Sequence, residues 1–250
     1  MKIMKIRDLT LIDLDEKNIM VVSCDSCGGI GNKRNDVFKA PPYIVGKMTA
    51  RVAILEVLCA GAKIITITDA VCNEMEPTGK EIIKGIKDEL KDANIDKVVL
   101  TGSTEENFKT SATALGITAI GLVEKRKLKV NTIKEEAIIV SIGLPKVGDE
   151  IDLSGDKEII DYKTIKELLN IDCVYEIVPV GSKGIEYEAN EIAINNNLNL
   201  TLKENINIDI KKSAGPATCI IAAIKADSIS KLSWCRLQVN VIGSAFPIIL

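Results

Sequence analysis

Apolar and polar positions along the chain alternate in two rhythms. In the first half, β-branched and apolar runs at 10–12, 19–24, 64–68, 98–100 and 113–123 read as strands, the last bent at Gly116 and Gly121. They give a short hairpin-like start, with Asp8 before one strand and Asp25 ending the next, and Asp69 ending the run at 64–68. Val45, Met48, Val52, Leu55 and the pair Leu58-Cys59 recur at helical spacing. Pro41-Pro42 precedes them and Gly61 follows, which predicts a helix from about 43 to 60 with a left-handed stop. A turn over 75–79 leads to a helix at 80–93, with Thr78 placed to cap it. The basic stretch 124–129 reads as a solvated turn. The second half repeats the mixture, with strands at 137–142, 175–180, 217–224 and 237–242, an extended piece at 198–202, and helices at 161–169 and 185–195. The pattern is α+β in two units, 1–130 and 131–250.

Composition narrows the function. With 250 residues, 46% hydrophobic and 27% charged, the chain can bury a core in either one large domain or two modest ones. Its longest apolar runs, 137–140 and 219–224, are too short to span a bilayer, and no signal peptide is visible behind Lys2, Lys5 and Arg7, so a cytoplasmic protein without a membrane partner is expected. A net charge of −3 argues against nucleic acid as a partner. No histidine is present, which excludes Ser-His-Asp and Cys-His machinery and any His-containing zinc site. Seven cysteines, an odd number, read as reduced thiols; Cys24-x-x-Cys27 has no second such pair to complete a zinc ribbon.

The stretch Val21 to Lys33 carries the densest candidate chemistry. A β-branched run reaches Asp25, then Gly28, Gly29 and Gly31, then Lys33. Glycines let backbone N–H groups approach an anion, and a carboxylate at a strand end can hold Mg²⁺ against a phosphate. An ordinary strand followed by a flexible loop reads the same way. Acidic or hydroxyl residues also fall at the ends of other first-half elements: Asp8, Asp69, Thr104 and Glu106. Glu56 faces inward on an otherwise apolar helix, where a carboxylate is costly unless paired or bound to a cation. Carboxylates converging on one place repel one another and a triphosphate, and magnesium between them removes both penalties. Separate surface acids ending their own elements are the alternative.

Several of these residues carry a resemblance. The Asp8 and Asp25 spacing, Asp25-Ser26, and Glu56-Val57-Leu58-Cys59-Ala60-Gly61-Ala62 resemble the aminoimidazole-ribonucleotide synthetase superfamily, which includes thiamine-monophosphate kinase, selenophosphate synthetase and hydrogenase maturation protein E. Gly29-Ile30-Gly31-Asn32-Lys33 is similar to the synthetase's Gly-Val-Gly-Thr-Lys, and Thr101-Gly102-Ser103-Thr104 to the superfamily's Gly-Gly-Asp/Glu-Thr or Thr-Gly-Asp-Thr. Gly181-Ser182-Lys183-Gly184-Ile185 lies where the thiamine-phosphate kinases have Val-Ser-Asp-Gly-Leu. The resemblance spans nearly the whole chain, more closely in its first half. Within the superfamily, the run from Cys24 to Lys33 with Pro41-Pro42, Glu74-Met75-Glu76-Pro77-Thr78-Gly79 and Thr101 to Phe108 most resembles the α-ribazole kinases of cobalamin biosynthesis and salvage.

That resemblance implies an ATP-dependent transferase, a kinase that phosphorylates a nucleoside 5′-hydroxyl with ATP and Mg²⁺ as cofactors. It also implies a homodimer paired through N-terminal strands, with a C-terminal half contributing to the acceptor site. Asp8, Asp25, Glu56 and Asp69 would be metal ligands, and Gly28, Gly29, Gly31, Lys33, Thr104 and Glu106 would bind the nucleotide. Asp25 and Lys33 would be catalytic; Glu186 or Glu188 would orient the acceptor hydroxyl. The departures are specific: Glu56 and Ser103 stand where relatives have acids one methylene shorter or present at all, Lys183 replaces a second-half Asp, and the usual glycines before Asp8 are absent. The alternatives are a thiamine-phosphate kinase-like or aminoimidazole-ribonucleotide synthetase-like enzyme, a non-catalytic ATP-binding protein, or a thiol-based redox or metal protein using Cys24 and Cys27.

Overall fold

The computed structural model describes residues 1–248, and the chain divides into two compact units, Met1–Leu58 with Ala62–Arg126, and Cys59–Gly61 with the chain from Lys127 onward. The first unit contains strands β1 (Ile3–Ile6), β2 (Leu9–Asp13), β3 (Asn18–Gly28), β4 (Ile30–Gly31) and β5 (Phe38–Lys39), helix α1 (Pro42–Cys59), strand β6 (Lys63–Val71), helix α2 (Lys80–Asp92), and strands β7 (Val99–Thr104) and β8 (Ala114–Glu124). Six of the strands form one sheet in the order β1-β2-β3-β8-β6-β7.

Pairing with β8 determines the length of β3. The two strands stay in register from Asn18 opposite Glu124 to Gly28 opposite Ala114. Asp25 therefore lies inside a strand, opposite Ile117, and not at its end as the sequence suggests. Asp69 likewise sits two residues before the end of β6. Ile19, Val21 and Ser23 on β3, Ile67 and Val71 on β6, and Leu115, Ile117 and Ala119 on β8 are buried on one face of the sheet. Period-two alternation puts Asp25, Cys27 and Asp69 on that same face.

The helices cover it. Pro42 opens α1 at the one position where a missing N–H costs nothing, and Gly61 follows it at φ +81°. Gly121 serves contact with α1 and does not bend β8: a Cβ there would lie 2.5 Å from Val57 Cγ1. The register irregularity is on β6 instead, between Ile64 and Thr66. Helices α1 and α2 touch backbone to backbone where Gly46 meets the Ile82 carbonyl and Gly85 meets the Tyr43 carbonyl. The helix α2 is not capped by Thr78. Its N-cap is Gly79, already helical, and Thr78 is buried within the preceding turn Met75–Gly79.

The second unit is a five-stranded antiparallel sheet, ordered β10-β12-β9-β13-β11, of β9 (Ala137–Ile142), β10 (Val174–Pro179), β11 (Leu198–Leu202), β12 (Ile220–Lys225) and β13 (Val239–Pro247). Its helices are α3 (Tyr162–Leu169), whose N-cap Asp161 accepts from the Thr164 N–H at 2.6 Å, and α4 (Gly184–Asn195). Strand β12 begins three residues later than its apolar run, because Ala217 adopts a left-handed backbone at φ +53°. Among the described residues no helix is long and apolar enough to cross a membrane.

Candidate active site

Strand β3 and the hairpin that precedes it bring two carboxylates together. Strands β1 and β2 are joined by the two residues Arg7 and Asp8, with Ile6 paired to Leu9 and Arg7 at φ +53° as such a tight turn requires. Because Leu9 pairs with Ser23, this turn stands beside Cys24 and Asp25. Burial pushes the Asp25 carboxyl up to about 6, and the nearby charge of Asp8 pushes it the same way. Cys27, half-buried two residues on, hydrogen-bonds Thr49 of α1, and burial raises its thiol as well.

Asp69 lies across the sheet from this pair. Asp25 and Asp69 both pair with Ile117, from opposite sides of β8. Two strand spacings therefore separate them, about 10 Å. Asp69 is 7% exposed, its Oδ1 is buried without a hydrogen-bond partner, and its carboxyl is also pushed up to about 6 by burial, against the pull of Lys87 on α2. The carboxylate lies directly over Gly102 of β7, where a Cβ would fall 2.1 Å from Oδ1. Glu56 is half-buried on α1, seven residues beyond Thr49. The four acids thus fall into Asp8 with Asp25, Asp69 beneath α2, and Glu56 on α1. Among the described residues no three His, Cys, Asp or Glu side chains gather closely enough to hold a metal ion. Strand β8 lies between Asp25 and Asp69 and keeps these two apart.

The glycine stretch is braced by its neighbours. Gly29 N–H donates to the Thr113 carbonyl at 2.9 Å, and the Gly29 carbonyl accepts from Val37 and Phe38. Gly31, at φ +157°, leaves room for two side chains: a Cβ would meet Thr113 Oγ1 at 2.2 Å and Asp36 Oδ2 at 2.6 Å. The buried Asp36 accepts from Thr113 N–H, Thr113 Oγ1 and Lys33 N–H, and these bonds hold its carboxyl below the usual range despite burial. The Lys33 side chain is 12% exposed, and its ammonium donates to Glu74 Oε1 and approaches the Thr110 carbonyl at 3.4 Å. Glu74 Oε2 accepts from Thr110 Oγ1 at 2.7 Å, which itself accepts from Asn73 Nδ2. Glu74 is held down to about 2, chiefly by Lys33.

Thr104 and Glu106 close a neighbouring turn. Thr104 Oγ1 and the Met75 N–H both donate to Glu106 Oε1, at 2.7 and 2.9 Å. In the second unit, Glu186 pairs with Lys211 at 3.6 Å, Glu188 is buried, and Lys183 lies over the Tyr187 ring at 4.1 Å. Asp36, Asn73, Glu74, Thr110 and Thr113 are the residues that sequence reasoning missed at this site. Of these only Glu74 lies in a stretch that the sequence singles out, 74–79.

This arrangement belongs to a known fold. Residues 7–123 match the family model described as AIR synthase related protein, N-terminal domain. No curated sequence matches the chain. Among solved structures, Thermotoga maritima PurL complexed with ADP superposes with a TM-score of 0.67 at 16% identity, over 95% of this chain and 42% of PurL. A HypE-HypF complex gives 0.67 at 14% identity, over 95% of this chain and 87% of the matched one. Thiamine-monophosphate kinase from Stenotrophomonas maltophilia K279a gives 0.61 at 16% identity, over 98% and 89%. The chain spans about two fifths of the PurL chains that it matches, and nearly all of the kinase. The fold is therefore that of the AIR-synthase-related proteins.

Proposed function

We propose that this chain is an ATP-dependent phosphotransferase whose acceptor is a nucleoside hydroxyl, and that the acceptor is the 5′-hydroxyl of α-ribazole. The observation that supports it best is the Asp8 and Asp25 pair: two carboxylates brought together on the strand that leads into a braced glycine turn with a lysine. Magnesium is commonly held by one or two carboxylates, with water and substrate phosphates completing its octahedron. Asp8 and Asp25 fit that donor set, and their mutual repulsion is the cost that a cation relieves. Bound there, Mg²⁺ would offset negative charge on the nucleotide's phosphates. The Lys33 ammonium adds a fixed positive charge at the same turn. Little covalent work is required of the protein in phosphoryl transfer, so fixed charges and positioning supply most of the acceleration.

The α-ribazole assignment rests on the resemblance of the stretches 24–33, 74–79 and 101–108. Homodimer formation rests on it too, and β1 is one of the two edge strands of its sheet, the other being β7. A second reading, an AIR-synthetase-like or thiamine-phosphate-kinase-like enzyme, is favoured by the PurL and thiamine-monophosphate kinase likenesses. One assay separates the two: ADP release from MgATP with α-ribazole, thiamine phosphate or formylglycinamidine ribonucleotide as the second substrate. Release with α-ribazole, yielding its 5′-phosphate, supports the proposal. Turnover with one of the others, or with none, rejects it.

A further inference from the structure

Glu74 connects three loops to Lys33, and the expected machinery gives it no role. Its two oxygens are divided: Oε1 accepts from the Lys33 ammonium and Oε2 from Thr110 Oγ1 at 2.7 Å. Thr110 is held in turn by Asn73 Nδ2 at 2.7 Å, and the same amide group reaches the Ala112 carbonyl at 2.8 Å. Asn73 Oδ1 accepts from the Ala114 N–H at 3.0 Å, at the first residue of β8. Asn73 is fully buried, so the chain of bonds from β8 to the lysine is anchored in the core. At its other end Lys33 N–H donates to Asp36, which fixes the lysine backbone beside Gly31. The backbone and the ammonium of Lys33 are thus both tied down.

A free lysine has a flexible four-carbon stem whose rotamer freedom is lost on binding an anion. An ammonium has three donors, and here one goes to Glu74 and a second points at the Thr110 carbonyl. The third is left for an incoming oxygen. Protein kinases use the same arrangement, a lysine held by a glutamate so that it meets the phosphates in a fixed place. We infer that Glu74 is the positioning residue for Lys33, so that nucleotide phosphate meets an ammonium already ordered. The inference rests on the reading of Lys33 as a phosphate ligand.

The test is a mutant cycle read by calorimetric titration of MgATP and MgADP into the full chain, which needs no acceptor. Lys33→Ala is expected to weaken binding at least tenfold, and Glu74→Gln, which keeps shape but loses charge, about tenfold. In the Lys33→Ala background, Glu74→Gln should then cost less than twofold, because its effect runs through the lysine. Thr110→Val, which removes only the hydroxyl on Oε2, should weaken binding about threefold and serves as the arm to read if Glu74→Gln does not fold. Glu74→Asp, one methylene short, should recover part of the loss. If Lys33→Ala binds nucleotide normally, the reading of Lys33 fails and the inference with it. If Lys33→Ala is weak while folded Glu74→Gln and Thr110→Val bind as the unaltered chain does, only the inference about Glu74 fails. Equal losses from Glu74→Gln with and without Lys33 would also overturn it, since Glu74 would then act by another route.

Discussion

Asp69→Asn should stabilise the protein at neutral pH and not in acid. The carboxylate is 7% exposed, Oδ1 has no partner, and burial holds its carboxyl at about 6 against an ordinary value of 3.8. One pKa unit corresponds to 1.36 kcal/mol, so keeping Asp69 ionised above neutrality costs roughly 2–3 kcal/mol relative to the unfolded chain. A folded-state value above the unfolded one means that stability from this group is fully present below about 4 and is lost as pH rises through about 6. Asparagine removes the charge but leaves an amide with unmet donors, a cost of about 1 kcal/mol. The net gain at pH 7.5 is then about 1–2 kcal/mol, or roughly 3–6 °C in melting temperature for a chain of this size. At pH 4 the carboxyl is already protonated, and the substitution should lower the melting temperature slightly. Both melts are run in excess chelator, so that no divalent cation masks the effect. A variant that melts lower than its parent by the same margin at both pH values would refute the claim that Asp69 is an uncompensated buried charge.

Asp25→Ala should abolish the Mg²⁺-dependent part of nucleotide affinity, measured as the difference between titrations with magnesium and with chelator. In the unaltered chain that difference should shrink as pH falls through about 6, because protons then compete for Asp25; a pH-independent difference would place the ion elsewhere. Gly31→Ala should destabilise by about 2–3 kcal/mol in chemical unfolding, because its methyl overlaps Thr113 Oγ1 and Asp36 Oδ2. Cys24→Ser/Cys27→Ser should retain nucleotide binding within about twofold, since Cys24 is solvent-exposed and Cys27 makes only a weak thiol hydrogen bond to Thr49; loss of binding would revive a thiol-based role.

Elements whose order is set locally were legible, and those set by partners were not. The helices α1 and α3 announce themselves through spacing, a proline or Asp161 in front, and a glycine or asparagine behind. Strand lengths are a property of pairs. Nothing between Ile19 and Gly28 tells that β3 continues through Asp25; the continuation exists because eleven residues of β8 lie alongside it. The same holds for Gly121, which reads as a bend in one dimension and is a contact with Val57 in three. Thr78 fits a capping position by sequence, yet the turn Met75–Gly79 places it in the interior, with the Met75 N–H bound to Glu106.

The site shows the same division more sharply. Asp8 and Asp25 come together through the β2–β3 register, which sets Leu9 opposite Ser23, and Asp25 and Asp69 are held apart by β8, which the sheet order interposes; both relations belong to strand pairing and not to local sequence. A lysine after glycines suggests a free cation at an anion site. The structure gives that cation a glutamate 41 residues away and a threonine a further 36 residues on. Such a partner changes the chemistry in a definite way. A mobile lysine would attract a phosphate from any direction and lose entropy in doing so, while one fixed by Glu74 is neutralised in part and gains orientation in exchange. In the proposed reading the glycine turn, with the N–H groups of Gly29 and Lys33 already bonded, serves less as a bare nest than as the floor beneath one oriented ammonium. Under the proposed function, the weight of nucleotide recognition in this unit would fall on two charged pairs of opposite logic: Asp8 with Asp25, like charges whose repulsion a cation would relieve, and Lys33 with Glu74, unlike charges of which only the ammonium has a donor left to offer.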